Sequence, residues 1–165
     1  MVSRQPGAAV PFASTNPPLE HTSAVETNLI TDWEEKLDEV LRSDAETAAI
    51  GRTLLEWLPR FPAAGQVEAA QHIVNLLEDA DYAPLAKVAA DPATPEEVLD
   101  ILLADLLNRP NALKLPALLS VARQTNHSKA GEAKDLLELY LEEDFGTDWA
   151  QWEARMQEWL KANPD

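Results

Sequence analysis

The sequence predicts an all-α fold: a short right-handed stack of antiparallel helix pairs with capping helices, or else an irregular helical bundle. Apolar residues recur every three or four positions through most of the chain, as they do on the buried face of a helix. Motifs that begin helices precede several of these stretches. No segment shows the two-residue alternation of β-branched and aromatic residues that is typical of a strand. We therefore predict helices and no sheet.

The start of the chain differs in composition from the rest. Residues 1–30 contain four of the twelve prolines and a single basic residue, and no helical or strand periodicity runs through them. A segment of this kind buries too little apolar surface to offset the entropy of ordering it. We predict a disordered Pro/Ser/Thr-containing tail over residues 1–30 and a single all-helical domain over residues 31–165.

Start motifs and apolar stripes predict the first three helices. The segments Thr31–Glu34 and Ser43–Glu46 both match the capping-box pattern, in which a hydroxyl and a carboxylate three residues apart satisfy the first turn. Apolar residues at helical spacing between Ala70 and Leu77 predict the third helix. We expect these helices to span residues 32–42, 45–58 and 66–79.

Five further helices are predicted in the second part of the chain. Thr94–Glu97 is the strongest start motif, because its proline suits the first helical position. Ser128 and Thr147 are N-cap candidates for the last two helices. The expected bounds of these five helices are residues 82–90, 95–108, 115–123, 129–143 and 148–162.

The helices show a weak internal repeat. Leu54–Leu58, Leu85–Ala89 and Leu118–Ala122 align with one another at offsets of 31 and 33 residues. The helices that follow these segments align at offsets of 29 and 35 residues. Helix–turn–helix repetition at a period of roughly 30–35 residues is typical of solenoid proteins. An irregular bundle whose helices align by chance remains the alternative.

The segment Pro84–Asp91, followed by Val98–Leu103, resembles HEAT and armadillo-type helical repeats, within residues 45–143 at most. The resemblance implies an α-solenoid in which the second helix of each pair lines a groove. The first and last predicted helices would then cap the two ends of the stack. The groove positions that this resemblance and the helical periodicity imply are Gln71, Asn75, Asp100, Asp135 and Glu138.

The charge balance points to a basic partner. The chain carries 29 acidic and 13 basic residues, for a formal net charge of −16. The basic residues are scattered singly, whereas binding to nucleic acid or to an anionic membrane requires clusters of Lys and Arg. We therefore expect a basic protein or peptide as partner, with no direct nucleic-acid binding and no membrane binding.

The motif search predicts no catalytic site, cofactor or metal. The absence of cysteine excludes disulfides, thiolate zinc sites and cysteine nucleophiles, and is compatible with the cytoplasmic location that we expect. No phosphate-binding glycine loop, zinc-protease motif or serine nucleophile elbow occurs. His72 follows Glu68 by one helical turn, and we interpret this pair as a solvated helix face rather than a metal site.

Tryptophans dominate the last predicted helix. Trp149, Trp152, Met156 and Trp159 fall on one helical face. Such a face can seal the end of a helical stack, or part of it can stay exposed and bind a partner, since tryptophan is enriched at binding hot spots. Trp149, Trp152 and Trp159 are therefore further candidates for partner binding.

The sequence leaves several functions open. We favour a non-catalytic protein–protein interaction module, or adaptor, that presents an acidic helical surface. The main alternative is an acidic inhibitor whose carboxylates imitate the phosphates of nucleic acid and occupy a DNA- or RNA-binding protein. A purely structural helical domain also stays open. An enzyme is less favoured, because no catalytic constellation is visible.

Overall fold

The computed structural model describes residues 28–164. These residues form eight α-helices and no strand, which confirms the all-α prediction. The helices are α1 (Trp33–Leu41), α2 (Thr47–Trp57), α3 (Ala63–Leu76), α4 (Ala83–Ala89), α5 (Glu96–Leu106), α6 (Asn111–Ala122), α7 (Ala130–Leu141) and α8 (Trp149–Ala162). Two 3-10 turns, Leu58–Arg60 and Asp79–Asp81, follow α2 and α3.

The predicted tail lies mostly outside the described residues. Of residues 1–30, only the last three belong to the described part of the chain. The backbone N–H of Ile30 donates to the carbonyl of Arg60 at 2.8 Å, and the Arg60 guanidinium donates to the carbonyl of Asn28 at 3.2 Å. Residues 28–30 are therefore held against the turn after α2 and belong with the helices rather than with a tail.

Helices that are neighbours in the sequence also pack in space. The pairs α2 with α3, α4 with α5, and α6 with α7 are in contact, and the pairs are joined by contacts of α3 with α5 and of α4 with α6. Helix α1 packs on α2 and α3, and α8 packs on α6 and α7. This order of contacts is compatible with a stack of helix pairs closed by a helix at each end, and also with a helical bundle.

One apolar core runs through the described helices. Its largest fully buried side chains are those of Phe61, Tyr82 and Trp152, and the rest are chiefly leucines that recur at helical spacing. Glycine fits where α1 meets α3, because a Cβ on Gly65 would lie 2.9 Å from the Trp33 ring. The ring of Trp33 therefore packs directly on the α3 backbone.

The capping boxes predicted for α1, α2 and α5 are wrong. None of these helices has a side-chain hydrogen bond at its N-cap, and the N-cap residues are Asp32, Glu46 and Pro95. The Thr94 hydroxyl instead donates to the carbonyl of Val88 at 2.8 Å. Among the described helices, only α8 begins with a side-chain cap, in which the backbone N–H of Gln151 donates to Asp148.

The bounds of two helices, α6 and α3, differ clearly from the predicted ones. Helix α6 begins at Asn111 rather than at residue 115, and Pro116 lies inside its second turn. Because proline lacks a backbone donor, it is more typical of a first helical turn, and the sequence pattern around Pro116 therefore resembles a helix start. Helix α3 begins three residues earlier than predicted, directly after Pro62, and ends at Leu76.

Candidate interaction surfaces

Most of the basic side chains are already committed to ion pairs within the chain. Eight of them contact a carboxylate: Lys36, Arg42, Arg52, Arg109, Arg123, Lys129, Lys134 and Arg155. Many exposed carboxylates have no such contact among residues 28–164. They include Glu34, Glu35, Glu56, Glu68, Glu78, Asp91, Glu97, Asp135, Glu138 and Glu142. The surface therefore presents uncompensated negative charge.

Arg109 ties the end of α5 to the end of α3. Its guanidinium donates to the carbonyls of Val74 at 2.7 Å and Leu77 at 3.1 Å, and to the carboxylates of Asp79 and Asp105. The guanidinium also lies 4.8 Å from the centre of the Tyr82 ring. Burial, and then the negative charge of Asp105, raise the pKa of the Tyr82 hydroxyl. With 14% of its side chain exposed, Arg109 is a structural link and not a free cation.

Lys129 forms a second link, between α7 and α5. Its ammonium contacts Asp100 and Glu96 at the start of α5 and Glu132 on α7. The hydrogen bond to Asp100 is the main cause that raises the pKa of Lys129. Asp100, a predicted groove residue, is therefore exposed but already paired with a base.

The other predicted groove residues are exposed and lie on two helices. Gln71 and Asn75 lie one turn apart on α3, where the Asn75 amide donates to the Gln71 carbonyl at 2.6 Å. Asp135 and Glu138 lie one turn apart on α7 and make no ion pair within the described helices. Because Asp100 also holds Lys129, substitutions at Asp135 and Glu138 test the negative charge more cleanly.

The tryptophan face of α8 is largely buried. Trp152 has no exposed surface: its indole N–H donates to the Gly146 carbonyl at 3.2 Å, and its ring meets Phe145 edge-to-face at 5.3 Å. Trp149 and Trp159 are half-buried, and the Trp159 ring packs on Tyr140 at 6.1 Å. Trp152 therefore belongs to the core and offers no contact to a partner. Only the outer edges of Trp149 and Trp159 remain available.

A large cleft opens between α2 and α4. Its volume is about 920 Å³, within the range of ligand-binding clefts. Leu55 on α2 and Val88 on α4 line it as partly exposed apolar side chains, and Leu58 and Val98 lie buried in its lining. Its other lining residues are Arg52, Glu56, Pro59, Gln66, Ala80, Asp81, Pro84, Asp91, Ala93, Thr94 and Pro95. None of the partner-binding residues predicted from the sequence lies in this cleft.

The charged groups that line the cleft differ in whether they have a partner of opposite charge. Arg52 is neutralised by its ion pair with Asp81. Glu56 and Asp91 are exposed and form no ion pair with any described residue, although Asp91 accepts a hydrogen bond from the Ala93 backbone. The cleft therefore has an apolar lining with two uncompensated carboxylates. The sequence signal for it was limited to these scattered acids and to prolines near the ends of short helices.

Potential metal-ligating side chains are dispersed over the described residues. No group of three or more His, Cys, Asp or Glu side chains between residues 28 and 164 is placed to hold a metal ion. His127 is buried, with one ring nitrogen 2.9 Å from the Ala89 carbonyl and the other accepting from the Lys129 backbone at 3.1 Å. Both ring nitrogens are thus used in structure. No helix in this part of the chain is long and apolar enough to cross a membrane.

Comparison of the chain with protein-family models, with curated proteins and with solved structures gives no significant match.

Proposed function

We propose that the protein is a non-catalytic protein–protein interaction module that presents an acidic helical surface to a basic protein or peptide. One observation carries the proposal. Eight basic side chains are held in intramolecular ion pairs, while ten or more exposed carboxylates lack one within residues 28–164. Lys36 and Arg42 pair with carboxylates of α1, and the other six basic residues link separate segments of the chain. The remaining negative charge is free to act on another molecule.

Uncompensated surface charge acts at a distance. At physiological ionic strength it is felt over about 8 Å. A surface of one sign steers an oppositely charged partner and raises its association rate, and the effect weakens as salt is added. The acidic pair Asp135 and Glu138 on α7 is the part of the predicted groove surface with the least internal compensation.

The test is affinity capture with the full chain as bait at low and high salt. A basic partner retained at low salt and released at high salt is the expected result. The double substitution Asp135→Asn/Glu138→Gln should weaken capture. The control Asp38→Asn/Glu39→Gln removes the same net charge from α1, where both acids already have a basic neighbour. It should weaken capture less.

Two results would contradict this function. Capture of no protein at either salt would remove the interaction module and favour a structural domain. A captured nucleic-acid-binding protein that DNA displaces from the bait would favour the nucleic-acid mimic.

A further inference from the structure

We propose that the cleft between α2 and α4 is the docking site for a peptide segment of the partner that carries a large apolar side chain next to a Lys or Arg. This inference rests on the proposed function and adds the place of binding and the chemistry of the bound segment. It moves the contact from the second helices of the pairs, where the sequence indicated it, to the first helices.

The size and lining of the cleft fit apolar side chains. A volume of about 920 Å³ is large enough for more than one side chain. Leu55 and Val88 are partly exposed and Pro84 is exposed, and these three side chains form apolar walls of the cleft. Burial of such surface by an apolar partner residue removes it from water, which is the main favourable contribution to association.

The two free carboxylates select for a basic neighbour of the apolar residue. Glu56 and Asp91 belong to the cleft lining and have no cation of their own in the described structure, since Arg52 is occupied by Asp81. A Lys or Arg beside the apolar residue would reach these carboxylates at the rim, whereas an acidic residue there would be repelled. Charge complementarity therefore distinguishes a basic-apolar segment from a purely apolar one.

The cleft is fixed by contacts that do not depend on a ligand. The Thr94 hydroxyl bonds the Val88 carbonyl, which holds the segment after α4 to the helix, and the Arg52–Asp81 ion pair links α2 to the 3-10 turn before α4. Buried Leu54 and Leu85 anchor the two helices in the core. A preformed site loses less entropy on binding than one that must be ordered.

A phage-displayed library of short random peptides, selected on the full chain, tests the site even while the partner is unidentified. We expect the selected peptides to share a large apolar residue next to Lys or Arg. Synthetic copies should bind Val88→Arg, which fills and charges the cleft, about tenfold more weakly or worse. Pro84→Arg, at an exposed position of the rim, serves the same purpose if the first variant is unstable.

The charge requirement is tested separately. Glu56→Gln/Asp91→Asn should reduce affinity for the selected peptides, and the loss should disappear when the Lys or Arg of the peptide is replaced by Gln. The control Asp38→Asn/Glu39→Gln, on α1, should leave affinity nearly unchanged.

Several outcomes overturn the cleft assignment. These are the failure to select any peptide, selected peptides without the expected pattern, and binding that resists both cleft-filling variants. If salt-sensitive capture of a partner persists in Val88→Arg and Pro84→Arg, the cleft proposal fails while the proposed function stands. Val10 and Phe12 are large apolar residues of the segment that precedes the described part of the chain. If Val10→Ser/Phe12→Ser raises affinity for the peptides severalfold, that segment competes with the peptides for the cleft, and the partner is not its occupant.

Discussion

The two sides of α4 differ sharply. On one side, α4 packs against α6, and the buried His127 bonds the carbonyl of Ala89 at the end of α4. On the other side, α4 and α2 make few direct contacts, and a cleft of about 920 Å³ lies between them. The same short helix thus borders both a closed junction and an open one.

The side chains explain the difference. On α4, Leu85 and Ala89 are buried, whereas Pro84 and Val88 face the cleft and remain at least partly exposed. Helix α4, with seven residues, therefore packs its buried face against α6 and leaves the cleft beside α2 open. A ligand can add contacts in this cleft.

The largest expected loss of stability comes from a substitution in the closed core, at Trp152 on α8. Trp152→Ala removes a fully buried ring and should cost about 3–5 kcal/mol in the free energy of unfolding. Leu55→Ala, in the cleft, removes a partly exposed side chain and should cost markedly less. Urea denaturation of both variants measures the contrast. Equal losses would mean that the cleft is as tightly packed as the core.

The next largest difference in stability is expected between variants of Arg109 and Arg52, two arginines that both contact the 3-10 turn before α4. Arg109→Ala should cost about 2–3 kcal/mol, because it leaves the half-buried Asp105 and two carbonyls at the end of α3 without their donor. Arg52→Ala removes a pair at the cleft whose arginine is 54% exposed, and should cost about 1 kcal/mol or less. Thermal and urea unfolding would give the two values, and a reversed order would contradict the proposed roles.

Tyr82 gives the stability of the folded protein a dependence on alkaline pH. Its folded-state pKa is raised, mainly by burial, so the folded protein holds this proton more tightly than the unfolded chain does. The corresponding stability is complete below the unfolded pKa of about 10 and is lost as the pH rises above it. Tyr82→Phe should flatten the fall in melting temperature at alkaline pH. An unchanged slope in that variant would assign the fall to other groups.

The smallest expected change in stability comes from a substitution at the end of α7, before the loop to α8. Glu142 ends α7 with a φ of 59°, in the left-handed region where residues other than glycine are strained. Glu142→Gly should stabilise the protein by about 0.5–1 kcal/mol. Glu142→Ala, which removes the same carboxylate but leaves the strain of a positive φ, is the control and should not stabilise. Destabilisation by Glu142→Gly would mean that the glutamate side chain contributes more than its backbone strain costs.

The helices were predictable from the sequence, whereas the surfaces between them were not. Apolar residues at helical spacing, together with start motifs, predicted all eight helices of the described residues, because burial imposes a period that any single helix displays. The capping boxes failed, since a Thr or Ser near a helix start can bond elsewhere, as Thr94 does with Val88. The pairing of Asp100 with Lys129 and the burial of Trp152 depend on packing between helices, which no local pattern encodes.

The cleft could not be predicted from the sequence either, because it also depends on packing between helices. It exists because α2 and α4 stay apart, and the distance between two helices depends on how the whole core is assembled. The prolines that border it, Pro59, Pro84 and Pro95, all lie at or near helix ends, and a proline at a helix end does not show whether a cleft lies beside it.

Site-specific crosslinking of the captured partner tests the central claim most directly. The chain has no cysteine, so Pro84→Cys at the cleft and Gln157→Cys on α8 can each carry a single photoreactive label. The account predicts crosslinking to the partner from position 84 and little from position 157. Crosslinking from position 157 alone would place the contact beside the tryptophan face of α8 and would contradict the assignment to the cleft.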